Sequence, residues 1–141
     1  QNEAVKAKFF HLKQGAFLTD ETLADLNLAA DQQLLPLDVL ILGMGEDGHT
    51  ASLFPCSDEI AQCLAPDSPA LLKVTPKTAP HQRISFSFAA LVKSKHTFLH
   101  ITGFSKKQVL AAAVAGQEST EMPIRAFLQT PDVNTQVYWA E

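Results

Sequence analysis

A chain of 141 residues with a net charge of −4 has the size of one domain, can bury a real core, and lacks the basic footprint of a nucleic-acid or anionic-membrane binder. Hydrophobic residues make up 46% and charged residues 18%, against a usual charged share of about 25%. That excludes a disordered chain and predicts either more interior than surface or a surface meant to be covered.

In chain order, Asn2 is a plausible N-cap for an amphipathic helix over residues 3–13, with Val5, Phe9 and Leu12 at helical spacing and Gly15 beyond its end. Thr19 or Asp20 can cap a second helix whose apolar face is Leu23, Leu26, Ala30 and Leu34, with Glu21 favouring the N-terminal dipole and Pro36 as the stop. The run Leu37-Asp38-Val39-Leu40-Ile41-Leu42-Gly43 is apolar on both faces and reads as a central parallel strand covered by helices. Residues 49–54 read as the first turn of a helix that Pro55 halts, and residues 55–70 as a surface excursion. Strands are expected at 71–75 and at 83–88, where Ile84, Phe86 and Phe88 alternate with serine. A short helix follows at 89–94 and a strand at 97–102 closed by Gly103. Ser105 is the expected cap of a helix through Ala115 ending at Gly116, Pro123 starts a last helical piece, and Val137-Tyr138-Trp139 closes the chain as a strand.

Strands alternating with helices over residues 1–141 predict a single α/β domain with a mostly parallel sheet. Two strand ends, at 43–49 and 103–105, carry glycine just before an expected helix start. Ligands of parallel sheets lie outside the carboxyl ends of the strands, so both loops are placed to share one pocket.

The first loop carries the chemistry. Gly43, Gly45 and Gly48 permit positive φ and close approach of a ligand to backbone N–H groups. His49, at the expected helix start, would stand at a positive dipole end that disfavours imidazolium, leaving a neutral base near pH 7. Asp47, two residues earlier, can fix its tautomer. A glycine-rich strand-to-helix turn that only reverses the chain is the alternative reading. Dinucleotide and P-loop patterns do not fit, because the G-x-G-x-x-G order and a Gly-Lys-Ser/Thr are both missing.

With Leu35-Pro36-Leu37-Asp38-Val39 ahead of it, the run Gly45-Glu46-Asp47-Gly48-His49-Thr50-Ala51-Ser52-Leu53-Phe54-Pro55 resembles the signature of 6-phosphogluconolactonases. The resemblance continues through Arg83-Ile84-Ser85, Gly103-Phe104-Ser105-Lys106, Pro123-Ile124-Arg125 and Val137-Tyr138-Trp139. It implies a three-layer Rossmann-like fold that hydrolyses 6-phospho-D-glucono-1,5-lactone, a phosphorylated sugar lactone, in the pentose phosphate pathway without metal or organic cofactor. The family chain is longer at its N-terminus, where it carries a Ser/Gly/Thr phosphate loop and an Asp-Glu-Arg segment that do not occur here. Gln1 therefore reads as the start of a processed or truncated chain, and the low charged fraction as a sheet edge and helix faces built to be covered.

The resemblance assigns His49 as general base, Asp47 as its orienting carboxylate and Lys106 as the lysine that holds the sugar phosphate at a helix N-terminus. Backbone N–H groups of the 43–48 loop, with Gly43, Gly45 and Gly48, are candidates for the oxyanion. Arg83 and Arg125 are further candidates for the phosphate, with a solvated or salt-bridged arginine as the alternative for each. Lys107 reads as the solvated neighbour of Lys106.

His96 and His100, on one strand face about 13 Å apart, cannot chelate one metal. Cys56 and Cys63 form no disulfide framework and read as free thiols, so a cytoplasmic location is expected. No apolar run approaches the roughly 18 residues of a membrane span, and no signal peptide opens the sequence.

Two competing functions remain. Related sugar-phosphate deaminases and isomerases share the Asp-Gly-His loop, but the deaminases place a glutamate where Phe54 stands, which favours hydrolysis here. A non-catalytic sugar-phosphate-binding module would keep Lys106 and need neither Asp47 nor His49.

Overall fold

Thr19 has extended backbone and begins the first long helix, α1 (Asp20–Gln33). Its hydroxyl accepts from the Thr22 N–H while its own N–H donates to the Thr22 hydroxyl, so two orphan donors are satisfied reciprocally. The computed structural model describes residues 3–12 and 18–141. Within the first stretch only Glu3–Lys6 forms a helical turn, of the 3₁₀ type. The expected 3–13 helix is therefore not formed over its described part, and Asn2, Lys13 and Gly15 lie outside the described residues. Phe9 is 79% exposed, and a helix this short needs a packed apolar face to persist.

Leu26 and Ala30 of α1 are buried against Leu71. The Asn27 amide donates to the Leu71 carbonyl (3.0 Å) and accepts from the Leu71 N–H (2.7 Å). A polar side chain mid-helix thus completes the unpaired backbone of β2 (Leu71–Val74), which pairs antiparallel with β3 (Arg83–Phe86) in a separate two-stranded sheet. The excursion before it holds a helix not expected from the sequence, α2 (Ile60–Leu64).

The main sheet is parallel, with β1 (Val39–Leu42), β4 (His96–Thr102) and β5 (Thr135–Ala140) in the order β1-β4-β5. Leu40, Leu42, Leu99 and Ile101 point into one core with Leu53, Ile124 and Phe127. Around that core are α3 (Phe88–Leu91), capped by the Ser87 hydroxyl, α4 (Phe104–Ala115) and α5 (Ile124–Gln129).

β1 departs from the expectation of a central, doubly covered strand. It is an edge of the three-stranded sheet, and Val39 and Ile41 are 52% and 71% exposed. An all-apolar run says that both faces can be buried, not that this chain supplies both covers. Burying such a side chain is worth about 1.5–3 kcal/mol, so this uncovered face leaves substantial stabilisation unrealised. No helix among the described residues is long and apolar enough to cross a membrane.

Candidate active site

Parallel pairing of β1 with β4, with Leu42 opposite Leu99, sets the loops that follow them side by side. After β4, Gly103 (φ 86°) turns the chain directly into α4. The N-cap is Gly103 and not Ser105, whose hydroxyl reaches the other loop instead.

The loop after β1 closes on itself. The Gly45 N–H donates to the His49 carbonyl (2.8 Å) and the Gly48 N–H to the Gly45 carbonyl (3.1 Å). The Thr50 hydroxyl donates to the Gly43 carbonyl (2.8 Å), and Ala51 takes a positive φ of 50° in a tight turn from Thr50 to Leu53. No helix forms at 49–54, because the His49 carbonyl turns back to Gly45 and does not begin a helical ladder. The dipole expected beneath His49 is therefore absent from its surroundings.

Local contacts position His49 instead. Its Nδ1 lies 2.6 Å from Asp47 Oδ1, and the same oxygen accepts the His49 backbone N–H at 3.1 Å. The Phe54 ring stacks on the imidazole with centroids 4.3 Å apart. A Cβ on Gly45 would overlap His49 Nδ1 and stand 2.7 Å from Asp47 Oδ1, so only glycine admits this pair. Partial burial pushes the Asp47 carboxyl up, but hydrogen bonds from the His49 backbone and ring outweigh it and hold it below its ordinary value. A carboxylate there keeps the proton on Nδ1 and leaves the lone pair on Nε2. With its side chain 31% exposed, His49 remains within reach of water.

The glycines divide by role. Gly45 makes room for the dyad. Gly48 (φ 76°) packs against Met122, and its carbonyl accepts the Ile124 N–H (3.0 Å), which buttresses the loop with the turn before α5. Gly43 supplies the carbonyl that Thr50 holds and faces open space. Because the Gly45 and Gly48 N–H groups donate inside the loop, they are not available to an oxyanion.

From the neighbouring strand end, Lys106 Nζ lies 3.1 Å from Glu46 Oε1, and the Ser105 hydroxyl donates to the same oxygen at 3.0 Å. These two contacts hold the Glu46 carboxyl below its ordinary value. The sequence reading gave Glu46 no role. The available signal was an acidic residue set in a loop otherwise suited to an anion. Phe54 was read only as a missing glutamate, and its stack on His49 depends on the turn at 50–53. Lys107 is not simply solvated, since it lies over the Trp139 ring, 4.3 Å from the centroid.

The two arginines separate. Arg83 opens β3, whose Ser85 hydroxyl accepts the Ser52 N–H (3.2 Å), so that strand abuts the turn beside His49. Its guanidinium donates to the His81 carbonyl. Arg125 is 7% exposed and turns to the opposite end of α4, donating to the carbonyls of Ala113 (3.2 Å) and Glu118 (2.8 Å) and pairing with Glu121. It satisfies the Ala113 carbonyl, which the end of α4 leaves orphaned, and ties down the turn that follows at Glu118. This is the salt-bridged arrangement that the sequence left open beside phosphate binding. Arg125→Ala is expected to lower unfolding stability by about 1–3 kcal/mol, the scale of buried acceptors left unpaired. Urea denaturation checks this, and unchanged stability with a raised KM would return Arg125 to the substrate.

Outside the site, His96 and His100 occupy exposed positions of β4, and no metal-holding group of three His, Cys, Asp or Glu residues occurs among the described residues. Cys56 and Cys63 are free thiols, and burial pushes Cys63 up to about 11.

Comparison with known proteins accords with this geometry. The model of the family described as glucosamine-6-phosphate isomerases/6-phosphogluconolactonase matches residues 3–139. The chain is 38% identical to the 6-phosphogluconolactonase of Rhizobium meliloti (strain 1021), covering 97% of this chain and 60% of that protein. It is 43% identical to that of Pseudomonas putida, covering 96% of this chain and 55% of that one. A crystal structure of a 6-phosphogluconolactonase from Shewanella baltica OS155 superposes with a TM-score of 0.93 at 35% identity, covering 100% of this chain and 60% of that one. The chain thus spans little more than half the length of these relatives. A parallel α/β sheet with an Asp-Gly-His loop and a lysine turn at adjacent strand ends, matched along nearly its whole length, places the chain in the glucosamine-6-phosphate isomerase/6-phosphogluconolactonase family.

Proposed function

We propose that the protein of this sequence hydrolyses 6-phospho-D-glucono-1,5-lactone to 6-phosphogluconate. The observation that carries this reading is the Asp47–His49 pair at 2.6 Å, set on the same strand-end edge as Lys106. Asp47 holds the Nδ1 proton, so Nε2 takes a proton from water as its oxygen attacks the lactone carbonyl carbon. The oxyanion that develops draws on loop N–H groups other than those of Gly45 and Gly48. As the tetrahedral state collapses, the bond from that carbon to the ring oxygen breaks. The imidazolium returns its proton to the leaving oxygen, which becomes a hydroxyl, and the new carboxylic acid ionises.

Lys106 binds the phosphate as a point charge and fixes the lactone at a distance from the base. Phe54 supports hydrolysis over deamination. Its ring stacks on His49 from the sequence position at which the related deaminases carry a glutamate, and it moves no proton.

The test uses a chimera in which these 141 residues replace the matching part of the Pseudomonas putida enzyme. Lys106→Ala is expected to raise KM for the phosphorylated lactone about 10- to 100-fold, the scale of one charge-assisted hydrogen bond. KM for unphosphorylated glucono-1,5-lactone is expected to change far less. Equal effects on both would remove Lys106 from the anion site. Ammonia release from glucosamine 6-phosphate in place of lactone hydrolysis would replace this reading with deamination.

A further inference from the structure

Glu46 is a conspicuous feature of this site. A loop that resembles an anion site places a carboxylate at its centre, 59 residues from the serine it contacts. One oxygen, Oε1, takes both the Ser105 hydroxyl (3.0 Å) and the Lys106 ammonium (3.1 Å), at the first turn of α4. These are the donors that the oxygens of a phosphate monoester would use. The Glu46 side chain is 62% exposed, while that of Lys106 is 23% exposed. The carboxylate can therefore swing into water while the ammonium stays in place.

We propose that Glu46 is an internal stand-in for the substrate's phosphate, neutralising Lys106 until a phosphate monoester displaces it. The inference rests on Lys106 as the phosphate lysine. A dianionic phosphate displaces the single carboxylate because it carries more charge and more acceptor oxygens, and because the two anions repel each other when crowded onto one lysine. A neutral sugar has nothing to exchange with Glu46, so Lys106 stays paired. The contact thus trades some affinity for discrimination in favour of phosphorylated substrates, a repulsive element working beside an attractive one.

The test titrates inorganic phosphate into the 141-residue chain by phosphorus NMR, for the unaltered chain, Glu46→Gln, Lys106→Met and the double variant, with folding checked by circular dichroism. Glutamine keeps the shape and removes the charge. Glu46→Gln is expected to tighten phosphate binding about three- to tenfold, the scale of an exposed ion pair plus relief of repulsion. Lys106→Met should abolish most of that gain, because the effect runs through the lysine. Unchanged or weaker binding in Glu46→Gln, with binding still dependent on Lys106, would overturn the stand-in and leave the phosphate lysine intact. An equal gain in the Lys106→Met background would reduce the effect to general charge and overturn it as well. Binding that ignores Lys106 altogether would overturn the phosphate-lysine reading and, with it, this inference.

Discussion

His49→Ala in the chimera is expected to lower kcat for lactone hydrolysis by about 10²–10⁴-fold, the contribution of a positioned general base. The loss should fall on kcat more than on KM, because in the proposed mechanism the imidazole acts on water while Lys106 holds the phosphate. Three contacts make the expected loss large. Asp47 fixes the proton on Nδ1, Phe54 fixes the plane of the ring, and Gly45 leaves room for the Asp47–His49 pair. The fold should survive, because the His49 backbone makes the hydrogen bonds to Gly45 and Asp47 that close the loop, and alanine keeps that backbone. Rates must be read above spontaneous hydrolysis, with circular dichroism as the folding control. A loss below tenfold in a folded variant would mean that another group activates the water.

The 141-residue chain by itself is expected to hydrolyse the lactone at least ~10²-fold more slowly than the full-length Pseudomonas putida relative, a loss comparable to mispositioning in an active site. On the proposed reading the chain supplies a base and one phosphate lysine, and the family resemblance places a second phosphate loop outside these residues. A lactone gripped at one end loses the alignment that makes a bound water an effective nucleophile. The fold adds a second reason. Among the described residues β1 is an open parallel edge, with its own Val39 and Ile41 52% and 71% exposed, and Tyr138 on the opposite edge strand β5 is 54% exposed. Open edges beside apolar surface invite association. The check is expression of residues 1–141, verification by intact mass and circular dichroism, and assay beside the relative. Matching activity from the verified chain would show that one phosphate lysine is sufficient.

By itself the sequence determined the chemistry that is local. The Asp47–His49 pair lies two residues apart in a glycine loop, so its contact needs no distant partner. The cap of α1 at Thr19, one of the two candidates, and the strand expected at 83–88, which forms over 83–86, are local as well; the helix expected to be capped at Ser105 is capped two residues earlier, at Gly103. Only the tertiary structure decided which loops meet. Lys106 reaches Glu46 because β1 and β4 are neighbours in a parallel sheet, a pairing that no window of sequence contains. Arg125 is the converse case. Its position in the motif made it a candidate for phosphate, but its guanidinium is held by the Ala113 carbonyl at the far end of α4 and the Glu118 carbonyl in the turn beyond. The missing helix at 49–54 has the same origin, since the His49 carbonyl and the Thr50 hydroxyl find partners back in the loop, at Gly45 and Gly43. Backbone preference and near-neighbour hydrogen bonds act over a few residues and can be read from order alone. Strand adjacency, which partner a cation takes and which apolar face is covered depend on surfaces brought together from distant parts of the chain.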